Sequence, residues 1–513
     1  MYSYVSTGAL NGIESYLATV EVDASNGLPG FEMVGMLNAE VKEARERVRV
    51  ALKNTGFSMP PLRVTVNISP ANLRKNGTAY DLPIAIALLI AIGELPQGCA
   101  EDIMIVGELG LNGEVKFTNG ILPMVIQAKE EGKKVCLVPK ENEGEGAVVE
   151  GIDVIGISGL GEAVEYLLAD KEERQKCFKK ATADLNRLML QSSLYEGLDF
   201  GEISGQETVK KAVETAAAGF HHILLIGAPG AGKTMIAKRI PSILPPLSLE
   251  DSLEVSKIYS ISGMLNEKQT LITKRPFCSP HHTISEQAFA GGGRIPKPGM
   301  VSLAHKGVLF LDEVVHFSNA AIEVLRQPME DKKVQIARSY GTFTYPADFM
   351  LVAAMNPCPC GYYPDRNRCA CNEAQVRKYL SAISGPILDR IDICVEVSRM
   401  EMKDLEGKSS ESSASMRERI QGARIMQQER FKGMGISFNA QMGPAEIKRF
   451  CDLGGAEKKF AQQAFDALKL SARAYHKILK VARTIADLNG SERIEEIHLA
   501  EAIAYRSVDR KYW

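Results

Sequence analysis

Apolar positions along the chain fall into two kinds of run. Residues 223–226, 308–311 and 349–355 are short and unbroken, with neither the period of two nor the period of 3.6, as in strands buried on both faces of a parallel sheet. Elsewhere the period is plain. Residues 41–52 form a charged amphipathic helix, and 416–431 another. Ile478, Val481, Ala482 and Ile485 share one helical face, while Ile494, Ile497 and Ile503 mark a further helix. Residues 63–68 alternate as a half-buried strand, and Ile13, Tyr16 and 17–22 also read as strand. Residues 75–95 enter a very apolar helix through a glycine turn, and 107–128 make a hairpin leading into another helix. These patterns predict a multidomain α/β chain. An α+β region spans 1–170, a linker 171–200, and an α/β core with a parallel sheet 201–405; a serine-rich linker, 406–415, leads into an all-helical region, 416–513.

The run 223–226 ends at Gly227, where GAPGAGKT (227–234) fits the phosphate-loop pattern G-x-x-x-x-G-K-[ST]. Gly227, Ala228, Pro229, Gly230, Ala231 and Gly232 make the loop, and its three glycines let backbone N–H groups turn toward an anion. Lys233 is placed to reach the β- and γ-phosphates of ATP, and Thr234 its magnesium. The second run, 308–311, ends in Asp312 and Glu313, an acidic pair that suits the magnesium shell and the attacking water respectively. The third ends at Asn356. Ahead of the phosphate loop a helix is expected from Gln206, closed by Gly219.

Charge and composition narrow the classes. With 61 basic against 63 acidic residues, global charge gives no argument for nucleic acid, and a local basic surface has to supply it. No apolar run is of membrane-spanning length, and the N-terminus lacks the pattern of an export signal, so the expectation is a cytoplasmic protein. The ten cysteines then read as thiols or metal ligands. Cys358, Cys360, Cys369 and Cys371 fall within 14 residues and can close a tetrahedral site around a structural zinc ion, with free thiols or a redox pair as the alternative.

Residues 75–95, 107–128 and 135–142 resemble the proteolytic domain of Lon-type proteases. The serine position of that family falls on Ala79 and its lysine position on Leu122, so the resemblance implies the fold without the peptidase dyad. Thr78 would be a displaced nucleophile, with Lys75 its only nearby base. Over nearly the whole chain, residues 275–293, 296–313, 325–331, 353–361 and 384–392 resemble the ComM (YifB) family of Mg-chelatase-like AAA+ ATPases.

That resemblance implies a Lon-like N-terminal domain, an AAA+ core and a helical lid assembled as a ring, a homo-hexamer. It makes Asn356 the sensor 1 residue and Arg473 the sensor 2 arginine, and Ile203 and Gly205 candidates for the adenine pocket. Arg390 becomes an arginine finger, whereas spacing alone equally allows an ion pair with Asp389 or Asp392. An acidic residue is expected where His316 stands. Arg483 is expected on the surface. Adjacent His281 and His282 would point apart on a strand, which argues against a metal site there. Residues 332–346 read as a hairpin where related helicases project into the ring pore. Lys332, Lys333 and Arg338 there suit phosphates and Tyr340, Phe343 or Tyr345 suit bases, although an ordinary solvated hairpin has the same pattern. The expected function is an ATP-driven ring motor on branched or single-stranded DNA, acting in branch migration, recombination and natural transformation. The alternative is a chaperone-like or metal-insertion ATPase remodelling a protein partner.

Overall fold

A computed structural model of the chain describes residues 1–193, 197–399 and 411–513. In the N-terminal region lie strands β1 (Tyr2–Asn11), β2 (Glu14–Ser25), β3 (Gly30–Val34), β4 (Arg63–Ser69) and β5 (Ile103–Ile105), a small hairpin β6 (Glu108–Leu109) and β7 (Val115–Lys116), then β8 (Val135–Pro139) and β9 (Asp153–Ile157). Seven of them form one sheet in the order β3-β4-β2-β1-β5-β8-β9. The helix Ala39–Asn54 turns Val41, Ala44, Val48, Ala51 and Leu52 inward at helical spacing. The helix Asp81–Ile92 is buried from Asp81 through Ala91, which is why its sequence is apolar all round. Its one charge is paired: Arg47 donates to the Asp81 carboxylate through Nε at 2.6 Å and Nη2 at 2.9 Å.

The stretch expected as a linker, 171–200, carries structure of its own. Asp170 caps the helix Lys171–Cys177 in a capping box with Glu173, and a second helix follows at Leu185–Ser193. Leu185, Leu188 and Met189 pack on the N-terminal region's core.

In the central region come β10 (Ile223–Gly227), β11 (Phe277–Cys278), the short pair β12 (Gly291–Gly292) and β13 (Lys297–Pro298), β14 (Val308–Leu311), the hairpin β15 (Lys333–Arg338) and β16 (Gly341–Pro346), β17 (Met350–Met355) and β18 (Ile393–Val397). Five of these form a parallel sheet in the order β11-β14-β17-β10-β18. Every residue of β10, β14 and β17 is buried, which accounts for their unbroken apolar runs. Because the three are parallel and adjacent, their C-terminal ends lie at one edge of the sheet, where ligands bind in open α/β sheets.

Two local expectations change. The helix ahead of the phosphate loop runs Glu207–Gly219, and the left-handed residue that closes it is Phe220 (φ 57°), not Gly219. Gly219 is instead required by packing, since a Cβ there would lie 2.3 Å from His221 Nε2. His281 and His282 stand in a turn with ring centroids 4.1 Å apart, so they do not point apart.

Helices Ser413–Arg430, Pro444–Phe450, Gly455–Ala467, Ala472–Leu488 and Glu496–Tyr512 make up the C-terminal region. The first starts three residues before Met416, where Ser412 accepts the N–H of Ser415; residues 406–410 of the expected linker lie outside the described residues. Met416, Ile420, Ile478, Val481 and Ile485 share one apolar core with Ile223, Leu225 and Val352, which seats the lid on the sheet. Arg483 is buried rather than on the surface. Its Nε donates to Asp487 at 3.1 Å, and its two terminal nitrogens donate to the carbonyls of Ser491 and Glu492. No helix among the described residues is long and apolar enough to cross a membrane.

Candidate active site

The loop after β10 and the ends of β14 and β17 meet around a cavity of about 400 Å³, lined by residues 229–235, Asp312, Glu313, Met355 and Asn356. Gly227 leads into it because the backbone there passes against β18, where a Cβ would lie 2.4 Å from the Val397 carbonyl oxygen. Gly230 and Gly232 have φ of 76° and 90°, and Gly232 caps the helix Lys233–Ile243, whose N-terminus faces the cavity. Lys233 Nζ donates to the carbonyls of Gly227 (2.7 Å) and Ala228 (3.1 Å) and to Asn356 Oδ1 (3.0 Å). Burial lowers the Lys233 pKa, against the pull of Asp312 and Glu313 in the other direction.

Thr234 Oγ1 donates to Asp312 Oδ2 at 2.7 Å, so a hydroxyl and a carboxylate stand together as hard oxygen donors of the kind Mg²⁺ takes. Glu313 sits at φ 50°, a left-handed conformation rare outside glycine, with its N–H on Asp312 Oδ1 at 3.0 Å. That turn leaves its side chain exposed at the cavity. Ile203 and Gly205 are not among the lining residues, and Ile203 is buried in the core below. His316 follows in a short helical turn, its ring 6.1 Å from that of His282 and 6.3 Å from that of Tyr379.

Arg390 and Arg473 lie elsewhere. Both line a second cavity, about 640 Å³, between the sheet and the lid, and both pair with Glu330. Arg390 pairs with Glu330, not with Asp389 or Asp392. Asp392 instead faces Lys477 at 3.1 Å and His221 at 3.5 Å. Burial pushes the Lys477 amine down to about 8, and Asp392 partly offsets it.

On the β15–β16 hairpin, Lys333 and Arg338 are exposed. Lys332 is turned to the hairpin root, where it pairs with Asp348 at 3.0 Å. Tyr345 is fully buried opposite Val334 and donates to the Pro296 carbonyl at 2.7 Å, which removes it from the residues able to stack on bases. Tyr340 and Phe343 face the N-terminal region: Arg74 lies over the Tyr340 ring at 4.9 Å, and both aromatics line a cavity of about 470 Å³ that Tyr16, Thr78 and Glu108 also line. Ala79, which lines that cavity, and Leu122 are both buried and bring no peptidase chemistry. Thr78 is bonded to Glu108, and Lys75 Nζ is held by the carbonyls of Pro70 and Leu73, so Lys75 is not set as a base for Thr78.

The sulfurs of Cys358, Cys360, Cys369 and Cys371 all lie within 4.8 Å of one another. Cys358 is 3.3 Å from Cys360 and 3.7 Å from Cys369, close to the roughly 3.8 Å that four thiolates keep around one zinc. The loop also braces the phosphate loop. A Cβ on Gly361 would lie 2.3 Å from Pro229 Cδ.

Sequence reading missed Glu330 and Lys477, and offered Asp392 only as a partner for Arg390 rather than for Lys477 and His221. Their partners lie far away in sequence, so no local spacing marks them; only the Arg483 and Asp487 pair, four apart on one helix, left a signal.

Three family models match the chain: subunit ChlI of Mg-chelatase over residues 20–142, the magnesium chelatase subunit ChlI over 199–405, and the ChlI C-terminal region over 410–506. Competence protein ComM of Haemophilus influenzae is 39% identical over 509 residues, covering 99% of this chain and 97% of that protein. YifB of Escherichia coli K12 is 40% identical over 511 residues, again 99% and 97%. Lon protease 2 of Bacillus subtilis is 24% identical over 185 residues, 34% of this chain and 33% of that one. Identity of this order, sustained from end to end and across all three matched blocks, places the chain in the ComM/YifB family of Mg-chelatase-like AAA+ proteins.

Proposed function

We propose that the chain is an Mg²⁺-dependent ATPase that works as a homo-hexameric ring and moves DNA, in branch migration during recombination and transformation. One observation carries the reading: Lys233, Thr234, Asp312, Glu313 and Asn356 converge on one cavity, while Arg390 and Arg473 stand outside it. A site so divided is completed by a neighbouring copy. Thr234 and Asp312 would hold the magnesium, which would neutralise charge on the phosphates. Lys233 exchanges its carbonyl partners for the β- and γ-phosphates. Glu313 takes a proton from the attacking water while Asn356 orients it, and the neighbour's Arg390 and Arg473 stabilise the charge that develops on the transferred phosphoryl. The four cysteines would hold a structural zinc that takes no part in the chemistry. Lys333 and Arg338 are the phosphate contacts on the hairpin, and Tyr340 and Phe343 the stacking ones once the tip leaves the N-terminal region.

The test is ATPase rate with and without a four-way DNA junction at two salt concentrations, with Lys333→Ala/Arg338→Ala as control. Stimulation that falls with salt and is lost in the control supports the motor on DNA. An intact basal rate indifferent to DNA supports the second reading, a remodeller of a protein partner. The docking of Tyr340 under Arg74 favours that alternative, because it ties the hairpin to the N-terminal region.

A further inference from the structure

Glu330 lies in the last turn of the helix Arg326–Asp331, just ahead of β15. Its Oε1 receives Nη2 of Arg390 at 2.8 Å and Nη2 of Arg473 as well, so one carboxylate oxygen sits between two guanidinium groups. The two arginines come from different modules. Arg390 follows the short helix Gly385–Leu388 of the core and is only 7% exposed; its Nη1 is fixed on the Pro386 carbonyl at 2.6 Å, and its Nε is buried without a hydrogen-bond partner among the described residues. Arg473 stands in the first turn of the lid helix Ala472–Leu488 and is 46% exposed. Two like charges brought to one point from two modules repel unless an anion lies between them. The other lysines of this cavity, Lys306, Lys332, Lys477 and Lys480, add to that repulsion, while its remaining carboxylates are engaged elsewhere: Asp348 with Lys332 and Lys306, Glu254 with His305 and Lys306, and Asp392 with Lys477.

We propose that Glu330 is a positioning residue: it holds Arg390 and Arg473 side by side, so that a γ-phosphate oxygen of the nucleotide on a neighbouring copy takes the place of its carboxylate between them. The inference rests on the ring reading above, and it explains why neither arginine reaches its own chain's cavity. Both are already gathered on an oxyanion, and exchanging one oxyanion for another keeps the forked, charge-assisted geometry. The residue's place also matters. Since Glu330 is rooted just ahead of β15, any displacement of the hairpin displaces the anchor of both arginines.

A double-mutant cycle in the full-length protein tests this, read by steady-state ATPase with thermal midpoints as a check on folding. Glu330→Gln keeps the shape and removes the charge. It is expected to lower kcat roughly ten-fold, the scale of one lost charge-assisted interaction, with KM for ATP changed less than about threefold. Glu330→Asp, which keeps the charge on a shorter arm, should recover part of that loss. In an Arg390→Ala/Arg473→Ala background, Glu330→Gln should have less than about a twofold effect, because nothing is left to position. The same ten-fold cost in that background overturns the proposal, as does a Glu330→Gln protein with normal turnover while Arg390→Ala is impaired. If Arg390→Ala and Arg473→Ala both turn over normally, the ring reading itself fails, a result separable from the other two.

Discussion

Asn356→Ala separates binding from chemistry at the nucleotide site. The Asn356 amide oxygen accepts from Lys233 Nζ at 3.0 Å, and two backbone carbonyls, at 2.7 and 3.1 Å, remain to the lysine when it is gone. Removing Asn356 therefore releases Lys233 from one of three partners that ATP has to displace. Ground-state affinity should stay level or improve, with KM for ATP the same or a few-fold lower. If Asn356 orients water at the γ-phosphate as proposed, the chemical step loses that amide, an interaction of the class in which one lost donor costs about 2.7–4 kcal/mol. The expected kcat is thus lower by about 10²–10³. The assay is a coupled ATPase titrated with MgATP, beside equilibrium binding of a fluorescent ADP analogue to the same protein. A KM raised ten-fold or more with kcat preserved would refute the reasoning, since it would make Asn356 a ground-state phosphate ligand.

Other expectations follow from the same geometry. Arg483→Ala strips one partner from the fully buried Asp487, which keeps Arg430; the loss should be about 3 kcal/mol, seen as a lower urea midpoint at constant m-value. Asp348 is held below the ordinary carboxylate range because, although burial acts to raise its pKa, Lys332 and Lys306 outweigh it. Its folded-state pKa is depressed, so its contribution to stability is complete above about pH 4 and is lost as pH falls through the folded value. Asp348→Asn should accordingly lower stability at pH 7 and flatten part of the acid limb of the unfolding profile; an unchanged acid limb would contradict the pairing. Metal analysis of the purified protein should find about one zinc per chain, and none in Cys358→Ser.

How much was legible in the sequence depended on whether the cause was local. Residues 223–226 and 308–311 are readable as parallel strands because burial on both faces erases polar positions, and the motif residues that follow them need only the strand's end to be placed. The hairpin pattern was equally direct, and Tyr345 was in principle readable as buried, since it pairs across the turn with Val334. Arg483 misled because an arginine on an amphipathic helix normally marks the polar face, whereas here Asp487 and two carbonyls satisfy it in the interior. Glu330 was illegible for a different reason. Its meaning lies in Arg390 and Arg473, 60 and 143 residues away, and no periodicity connects them.

The close approach of Gly361 to Pro229 would join the proposed metal site and the nucleotide cavity into one thermodynamic system. A metal that ordered the cysteine loop would then stiffen the turn beside the nucleotide cavity, and linkage would make the effect mutual: whatever factor metal added to nucleotide binding, nucleotide would add to metal binding. On those terms a cell short of zinc, or one oxidising its thiols, would adjust the proposed ATPase through its nucleotide cavity while leaving every residue that lines that cavity in place.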